Sequence, residues 1–320
     1  MGIVNTTTHA SNNYSITVFT YQRRTSVVSH KPIKLIYIVG NGHSGSTLLD
    51  LALGSHSQIE SGGEMFRFAE YFSPTSDRPA RKRICTCGAN VENCPYWQSV
   101  KQQLDPIHTQ IDLDINTKNL TAFEKRNFNL ISAMLKTSGK TMFCDSSKEF
   151  SRLRRFLKSK LFDVTVVHLV RDGRAVSFSI QKKAARKAGK PDSWKEYRYT
   201  YFQYLKDWKV RNTKIHRKLN SDPRYLCVRY EDFVSDPQAK LTEIINRSGL
   251  QFERQQLAFW EFSHHNLNGS SWRKQMKPDT PQPIQRDVSY LKNLTCGQWW
   301  MSNIFAFLTL QKYNYSLTKE

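Results

Sequence analysis

The sequence predicts an α/β protein, with a central parallel sheet flanked by helices. Three observations point there. Short β-rich runs recur with helix-patterned material between them, and strands alternating with helices in this way form parallel sheets covered on both faces. A glycine-rich turn separates the first such run from the first helical stretch. The chain has 320 residues, 39% hydrophobic and 12% aromatic, enough to bury a core. Its longest apolar runs, such as Leu35 to Val39, fall far short of the roughly 20 residues of a membrane span.

The elements follow in order. Residues 1–31 are polar and patternless, which predicts a flexible N-terminal arm ahead of a single domain over 32–320. Strands are expected at Ile33 to Val39, Lys140 to Cys144, Val164 to Val170 and Tyr225 to Arg229, where β-branched residues cluster. Helical periodicity marks Thr47 to Leu53, Thr121 to Leu135, Ser151 to Lys158, Arg174 to Ala188, Trp194 to Leu219 and Pro237 to Ser248, with a last helix from near Gln298. Two irregular, aromatic-rich segments, about 65–120 and 189–210, are expected to be inserted lid and substrate segments.

Lys and Arg number 48 against 27 Asp and Glu, a formal charge of +21. Such a balance suits nucleic acid, an anionic membrane surface or an anionic small ligand. The basic runs at 78–83, 151–160 and 181–190 also fit solvated helix faces. No nucleic-acid-binding signature accompanies them, so a basic nucleic-acid-binding α/β protein with a degenerate phosphate loop stands only as an alternative. Six cysteines without an export signal are expected to be reduced thiols in the cytoplasm. Cys85, Cys87 and Cys94 lie close enough to share a metal, but zinc wants four ligands and no fourth is visible nearby. The expectation is a structural knot or buried thiols with no metal.

After the first strand come Gly40, Asn41, Gly42, His43, Ser44, Gly45, Ser46 and Thr47, then Leu48 and Leu49. Glycines permit a tight turn, and consecutive N–H groups at a helix N-terminus cradle an anion with the helix dipole behind them. Against the triphosphate-binding pattern Gly-x-x-x-x-Gly-Lys-Ser/Thr, Gly40 and Gly45 fit, but Ser46 replaces the lysine. That lysine neutralises β- and γ-phosphates, so a ligand with fewer clustered phosphates is implied. A second anion site is expected after the third strand, where Arg171, Asp172, Gly173 and Arg174 open a helix that carries Ser179.

At these two stretches, HSGST (43–47) and RDGRAVSFS (171–179), the chain resembles sulfotransferases that use 3′-phosphoadenosine 5′-phosphosulfate. The similarity extends to LGSHSQIESGGEMFRF, the cysteine stretch CTCGANVENCPYW, CDSSK (144–148), VRYEDFVSDP (228–237) and HNLNGSSWR (265–273), in which Ser270 replaces an expected Asn. The bacterial, carbohydrate and tyrosylprotein members are the nearest in pattern. The resemblance implies a P-loop-like sulfotransferase fold, with Gly42, His43, Ser44, Gly45, Ser46 and Thr47 at the 5′-phosphosulfate, and Arg171, Ser179 and Arg273 at the 3′-phosphate. Tyr230 would lie near the adenine. His43 stands where a basic residue is usual, so its charge would depend on pH.

The resemblance also implies in-line sulfuryl transfer without a metal, with Glu64 as general base and Lys148 stabilising charge at the sulfuryl group, helped by His43. His264 and His265 are alternative bases with no positive sign in their favour. The acceptor is expected to be a hydroxyl or amine of a small metabolite, such as a natural product of the saxitoxin alkaloid type. Glu70 or Asp77 could supply acidic contacts to such a cation. A glycan or protein tyrosine is the alternative acceptor.

Overall fold

Alternation along the first strand sets up the layers. In β1 (Ile33–Gly40), Leu35, Tyr37 and Val39 face one side of the sheet and Ile36 and Ile38 the other, and all five are buried. Burial on both faces is the mark of a parallel sheet covered by helices. The computed structural model describes residues 31–104, 113–190 and 198–319. Apart from Lys31, the expected arm lies outside these, as do 105–112 and 191–197 of the two expected insertions.

The sheet has five parallel strands, adding β2 (Ile59–Ser61), β3 (Met142–Lys148), β4 (Phe162–Val170) and β5 (Tyr225–Arg229) in the order β2-β3-β1-β4-β5. Sequence periodicity could not find β2, which is three residues long. On one face Leu35, Tyr37, Phe143 and Val166 pack with helices α3 (Pro95–Leu104), α4 (Leu120–Ser138) and α5 (Phe150–Phe156) through Trp97, Phe123, Ile131 and Phe156. On the other, Ile36, Ile38 and Val167 meet α1 (Ser46–Gly54) and α9 (Pro237–Arg247), which follows the short α8 (Tyr230–Ser235). A third cluster joins α6 (Gly173–Lys187), α7 (Arg198–Leu219), α10 (Ser289–Asn293) and α11 (Cys296–Lys312) around Trp208, Tyr290 and Leu310. Between these, α2 (Phe68–Phe72) is a single turn-and-a-half.

The order of strand addition changes side at β1, with β3 laid down on one side of it and β4 on the other. In open α/β sheets such a switch point opens a crevice at the carboxyl ends of the strands. The Gly-rich loop, Lys148, Arg171 and Tyr230 all lie at those ends.

One polar element crosses the core. Arg152 donates through Nε to Asp145 (2.9 Å), and its other nitrogens reach Asn127 Oδ1 (2.7 Å), Asn116 Oδ1 (3.0 Å) and the Ile115 carbonyl (3.2 Å). Both partners of the ion pair are 0% exposed. Arg152→Ala would leave the Asp145 charge buried alone, and we expect unfolding free energy to fall by about 3–5 kcal/mol. Urea denaturation of the purified chain measures this; a fall below about 1 kcal/mol would show that the site tolerates an unpaired carboxylate.

Candidate active site

The loop is built by backbone conformations that few residues tolerate. His43 and Gly45 have φ of 64° and 87°, in the left-handed region. Gly45 is required twice over, because a Cβ there would sit 2.4 Å from the Tyr230 ring. The turn leads into α1, whose first turn has no side-chain cap on its N–H groups. Ser44 is buried, and its hydroxyl has no partner. A buried hydroxyl left unpaired costs free energy, and this one lies in the loop where an anion is expected.

The second predicted stretch meets the first. Arg171 donates to the His43 carbonyl (3.1 Å) and to Asp287 Oδ2 (3.0 Å), and its guanidinium lies 4.6 Å from the Tyr230 ring centroid. Ser179, two turns along α6, shares a 2.8 Å hydrogen bond with His43 Nδ1. Arg171, Ser179, His43, Gly45 and Tyr230 therefore form one wall. Gly173 is needed because a Cβ would lie 2.5 Å from the Trp208 ring, whose Nε1 donates to the Arg171 carbonyl. Arg174 points away from the crevice: it grips Asp172, the N-cap of α6, and Asn303, and is fixed in the core. Burial, with Lys183 and Arg171 nearby, pushes the His43 pKa down to about 4. The imidazole is therefore neutral around pH 7, and its charge changes only in acid.

Glu64 and Lys148 come together across the mouth of β3. Lys148 Nζ donates to Glu64 Oε1 at 2.5 Å and to the Ser146 carbonyl at 3.1 Å, while Asn268 Nδ2 donates to Glu64 Oε2 at 2.5 Å. The register of β3 against β1 slips between Tyr37 and Val39, and this bulge leaves Lys148 at φ 66°. Bulges re-aim side chains next to active sites. Asp145 holds the bulge by accepting from the Ser147 N–H (2.9 Å) and hydroxyl, and Ser147 Oγ accepts from the Phe66 N–H (2.8 Å) beside Glu64. Of the four non-glycine residues with positive φ among the described residues, His43, Lys148 and Asn268 border this site. Burial raises the Glu64 pKa, but the charge and hydrogen bond of Lys148, with Asn268 and Arg67, outweigh it and hold the carboxyl below its ordinary range.

These features coincide with a family-wide sequence match. The sulfotransferase family's sequence profile matches residues 36–254, more than half of the chain. The chain belongs to the sulfotransferase family. No curated protein matches it at a significant level. Among solved structures, this sulfotransferase is similar to the sulfotransferase domain from the curacin biosynthetic pathway, at 18% identity and a TM-score of 0.57, over 91% of this chain and 100% of that one. It is also similar to the sulfotransferase domain of the Synechococcus PCC 7002 olefin synthase (18%, 0.48, covering 91% and 98%) and to a sulfotransferase from Mycobacterium avium (10%, 0.47, covering 89% and 78%). The first of these extends the shared fold over nearly the whole enzyme. Among the described residues no helix is long and apolar enough to cross a membrane.

Arg273 of the sulfotransferase lies at the other end of the loop from Arg171. It is 2% exposed, its Nε donates to the Asn268 carbonyl, and its Nη1 has no partner. Beside it, Thr47 Oγ1 accepts from the Ser270 N–H at 3.0 Å, so the Ser in place of Asn keeps a backbone contact with the loop. Sequence reasoning missed Asn268; its neighbour Gly269 in the matched element was the available signal. Glu70 is engaged by Arg67 (2.5 Å) and Arg78 (2.8 Å). His264 is buried against the Phe259 carbonyl, with Gly54 at the C-terminal end of α1 beside it, and has no hydrogen bond to the loop. His265 instead joins Cys85, Cys87 and Cys94. The fourth group that local sequence did not show is thus present, supplied from 171 residues beyond Cys94.

A cavity of about 1110 Å³ opens beside the loop, between the start of α5, α6 and α7. Asn41, Gly42 and His43 form one side. Six cations line it (Arg154, Lys183, Lys187, Lys206, Arg211 and Lys214) against two carboxylates, Glu149 and Asp207. The expected segment 189–210 contributes residues from Thr200 to Val210, and among the described residues none of 65–120 lines the cavity.

Proposed function

We propose that this sulfotransferase moves a sulfuryl group from 3′-phosphoadenosine 5′-phosphosulfate to a hydroxyl or amine of a small metabolite, in the cytoplasm. The observation that carries the reading is the set of polar groups left open around one loop: the Ser44 hydroxyl, the α1 N–H groups and an Arg273 nitrogen, with the Glu64–Lys148 pair adjoining. Such a donor set fits a polyanion. Gly42, Ser44, Gly45, Ser46 and Thr47 would hold the 5′-phosphate, Arg171 and Ser179 the 3′-phosphate, and Tyr230 the base. Arg273, at the Thr47 end of the loop, suits the 5′ side better than the 3′ side that its motif implied.

The donor supplies an electrophilic sulfuryl group. Glu64, ionised and held in one orientation by Lys148 and Asn268, would take the proton from the acceptor as it attacks. Lys148 would offset charge at the transferring group. Neutral His43 would act as a hydrogen-bond donor rather than as a fixed positive charge. The site residues named here need no metal for these steps.

The cavity's charge argues for the class of acceptor. Lys183 lies in it and within Coulombic range of Glu64. A cation of the saxitoxin type would meet six like charges there, whereas an acceptor bearing a carboxylate or phosphate would be attracted. We expect labelled donor to sulfate small hydroxylated anions, and Lys183→Glu to raise KM for them about tenfold with a smaller change in kcat. Transfer to glycans or tyrosine peptides alone would refute the small-acceptor reading. No transfer to any acceptor, and no affinity for the desulfated donor, would refute the donor as well.

A further inference from the structure

The cysteine stretch and the element that carries Asn268 and Arg273 meet at four side chains. Cys94 Sγ lies 3.3 Å from His265 Nδ1 and 3.8 Å from Cys85 Sγ; Cys85 Sγ is 3.6 Å from the same nitrogen, and Cys87 Sγ is 3.6 Å from Cys94 Sγ. All four ligand atoms fall within 4.8 Å of one another. We propose that Cys85, Cys87, Cys94 and His265 form a structural zinc site.

The edge lengths decide between this and other readings. A tetrahedron with zinc–sulfur bonds of about 2.3 Å and a zinc–nitrogen bond of about 2.0 Å has edges of about 3.8 Å between sulfurs and about 3.5 Å from sulfur to nitrogen. Four of the six edges match these within about 0.2 Å, and the other two, from Cys87 to Cys85 and to His265, lie within 4.8 Å. A disulfide would need about 2.05 Å, and all three thiols are free. Four protein ligands close the coordination shell, the pattern of structural rather than catalytic zinc.

The local backbone is built to present the ligands. Ile84 bridges antiparallel to Asn90, the Cys85 N–H donates to the Ala89 carbonyl (2.9 Å), and the Gly88 N–H to the Cys85 carbonyl (3.1 Å), with Gly88 at φ 90°. This tight turn brings Cys87 back beside Cys85. His265 is fixed from outside the site. Ser263 Oγ lies 3.3 Å from its Nε2, leaving Nδ1 as the ligand, and the Tyr96 ring stacks on it at 4.6 Å and 5°. An outer hydrogen bond of this kind orients a metal-bound imidazole. Three thiolates and a divalent ion leave one net negative charge, and Arg273 and Lys274 lie within Coulombic range of Cys85.

The site ties the insertion to the active-site platform. Trp97 Nε1 donates to the His265 carbonyl, and two residues on, Leu267 exchanges backbone hydrogen bonds with Gly62 and Glu64. Asn268 then reaches the Glu64 carboxylate. Zinc therefore holds in register the strand-like segment on which Glu64 depends.

Elemental analysis of the full-length chain, purified under reducing conditions, tests this. We expect one zinc per chain in the wild type and in Cys296→Ser, and near-complete loss in Cys94→Ser and His265→Ala. If those variants fail to fold, the exposed Cys87→Ser and the metal-stripped wild type decide: cobalt added to the latter should give the ligand-field and thiolate charge-transfer bands of a tetrahedral site. A wild type that holds no zinc and gives no such bands overturns the proposal. So would a disulfide in its non-reduced mass, iron in place of zinc, or zinc undiminished in every variant.

Discussion

Glu64→Gln should lower kcat by about 10²–10⁴-fold, the range over which a positioned general base contributes, while affinity for 3′-phosphoadenosine 5′-phosphate stays within about threefold. The amide keeps the shape, and its one carbonyl oxygen can still accept from Lys148 while the contact to Asn268 is given up; the Lys148 bulge itself is held by its Asp145 anchor and stays in place. What disappears is the capacity to take a proton. The pH profile separates this from mere repositioning. Because Lys148 and Asn268 hold the Glu64 carboxyl below its ordinary range against burial, the acid limb of kcat/KM should lie lower than that of a free glutamate. Lys148→Met removes the larger opposing influence and leaves burial to dominate, so the limb should move up in pH as kcat falls. An acid limb that stays put in Lys148→Met, or a Glu64→Gln enzyme with near-normal kcat, would show that another group takes the proton.

The residues of this site differ in how openly the chain displays them. Glu64, Lys148 and the loop could be named as candidates because each lies in a contiguous stretch that resembles the sulfotransferase pattern. The strands were readable for the same reason: β1 and β4 are runs of β-branched and aromatic residues that are buried on both faces. Where structure depends on partners far along the chain, local reading failed. β2 is three residues held by pairing with β3, Asn268 meets Glu64 across 204 positions, and His265 meets Cys94 across 171. No periodicity encodes such contacts. The bulge at Lys148 is likewise set by the register of two strands and by Asp145 beneath it, not by the identity of residue 148. His43 illustrates a different limit. Its position was legible, but its charge state follows from burial among Lys183, Arg171 and Lys148, which only the packed structure brings together.

Arg171→Ala should weaken binding of 3′-phosphoadenosine 5′-phosphate by about 10–100-fold, the value of one or two charge-assisted hydrogen bonds of about 1.5–3 kcal/mol in all. Binding of adenosine 5′-phosphate, which lacks the 3′-phosphate, should change little. The difference between the two ligands is what assigns Arg171 to that phosphate rather than to the nucleotide in general, and isothermal titration of both measures it. Arg171 is already aimed: its carbonyl is fixed by Trp208, its guanidinium lies against Tyr230, and Asp287 holds one of its nitrogens. Little side-chain order remains to be lost when an anion arrives, so most of the interaction appears as affinity. Asp287 also competes with that anion for the same nitrogen, and its side chain is 51% exposed. Removing its charge in Asp287→Asn should therefore raise affinity about two- to fivefold, the scale of a partly exposed ion pair. Arg171→Lys should recover only part of the loss, since an ammonium cannot match the planar fork. Equal weakening of both nucleotides in Arg171→Ala would mean that the residue shapes the loop through the His43 carbonyl instead, and the 3′-phosphate would then have to be held by Ser179 and its neighbours on α6.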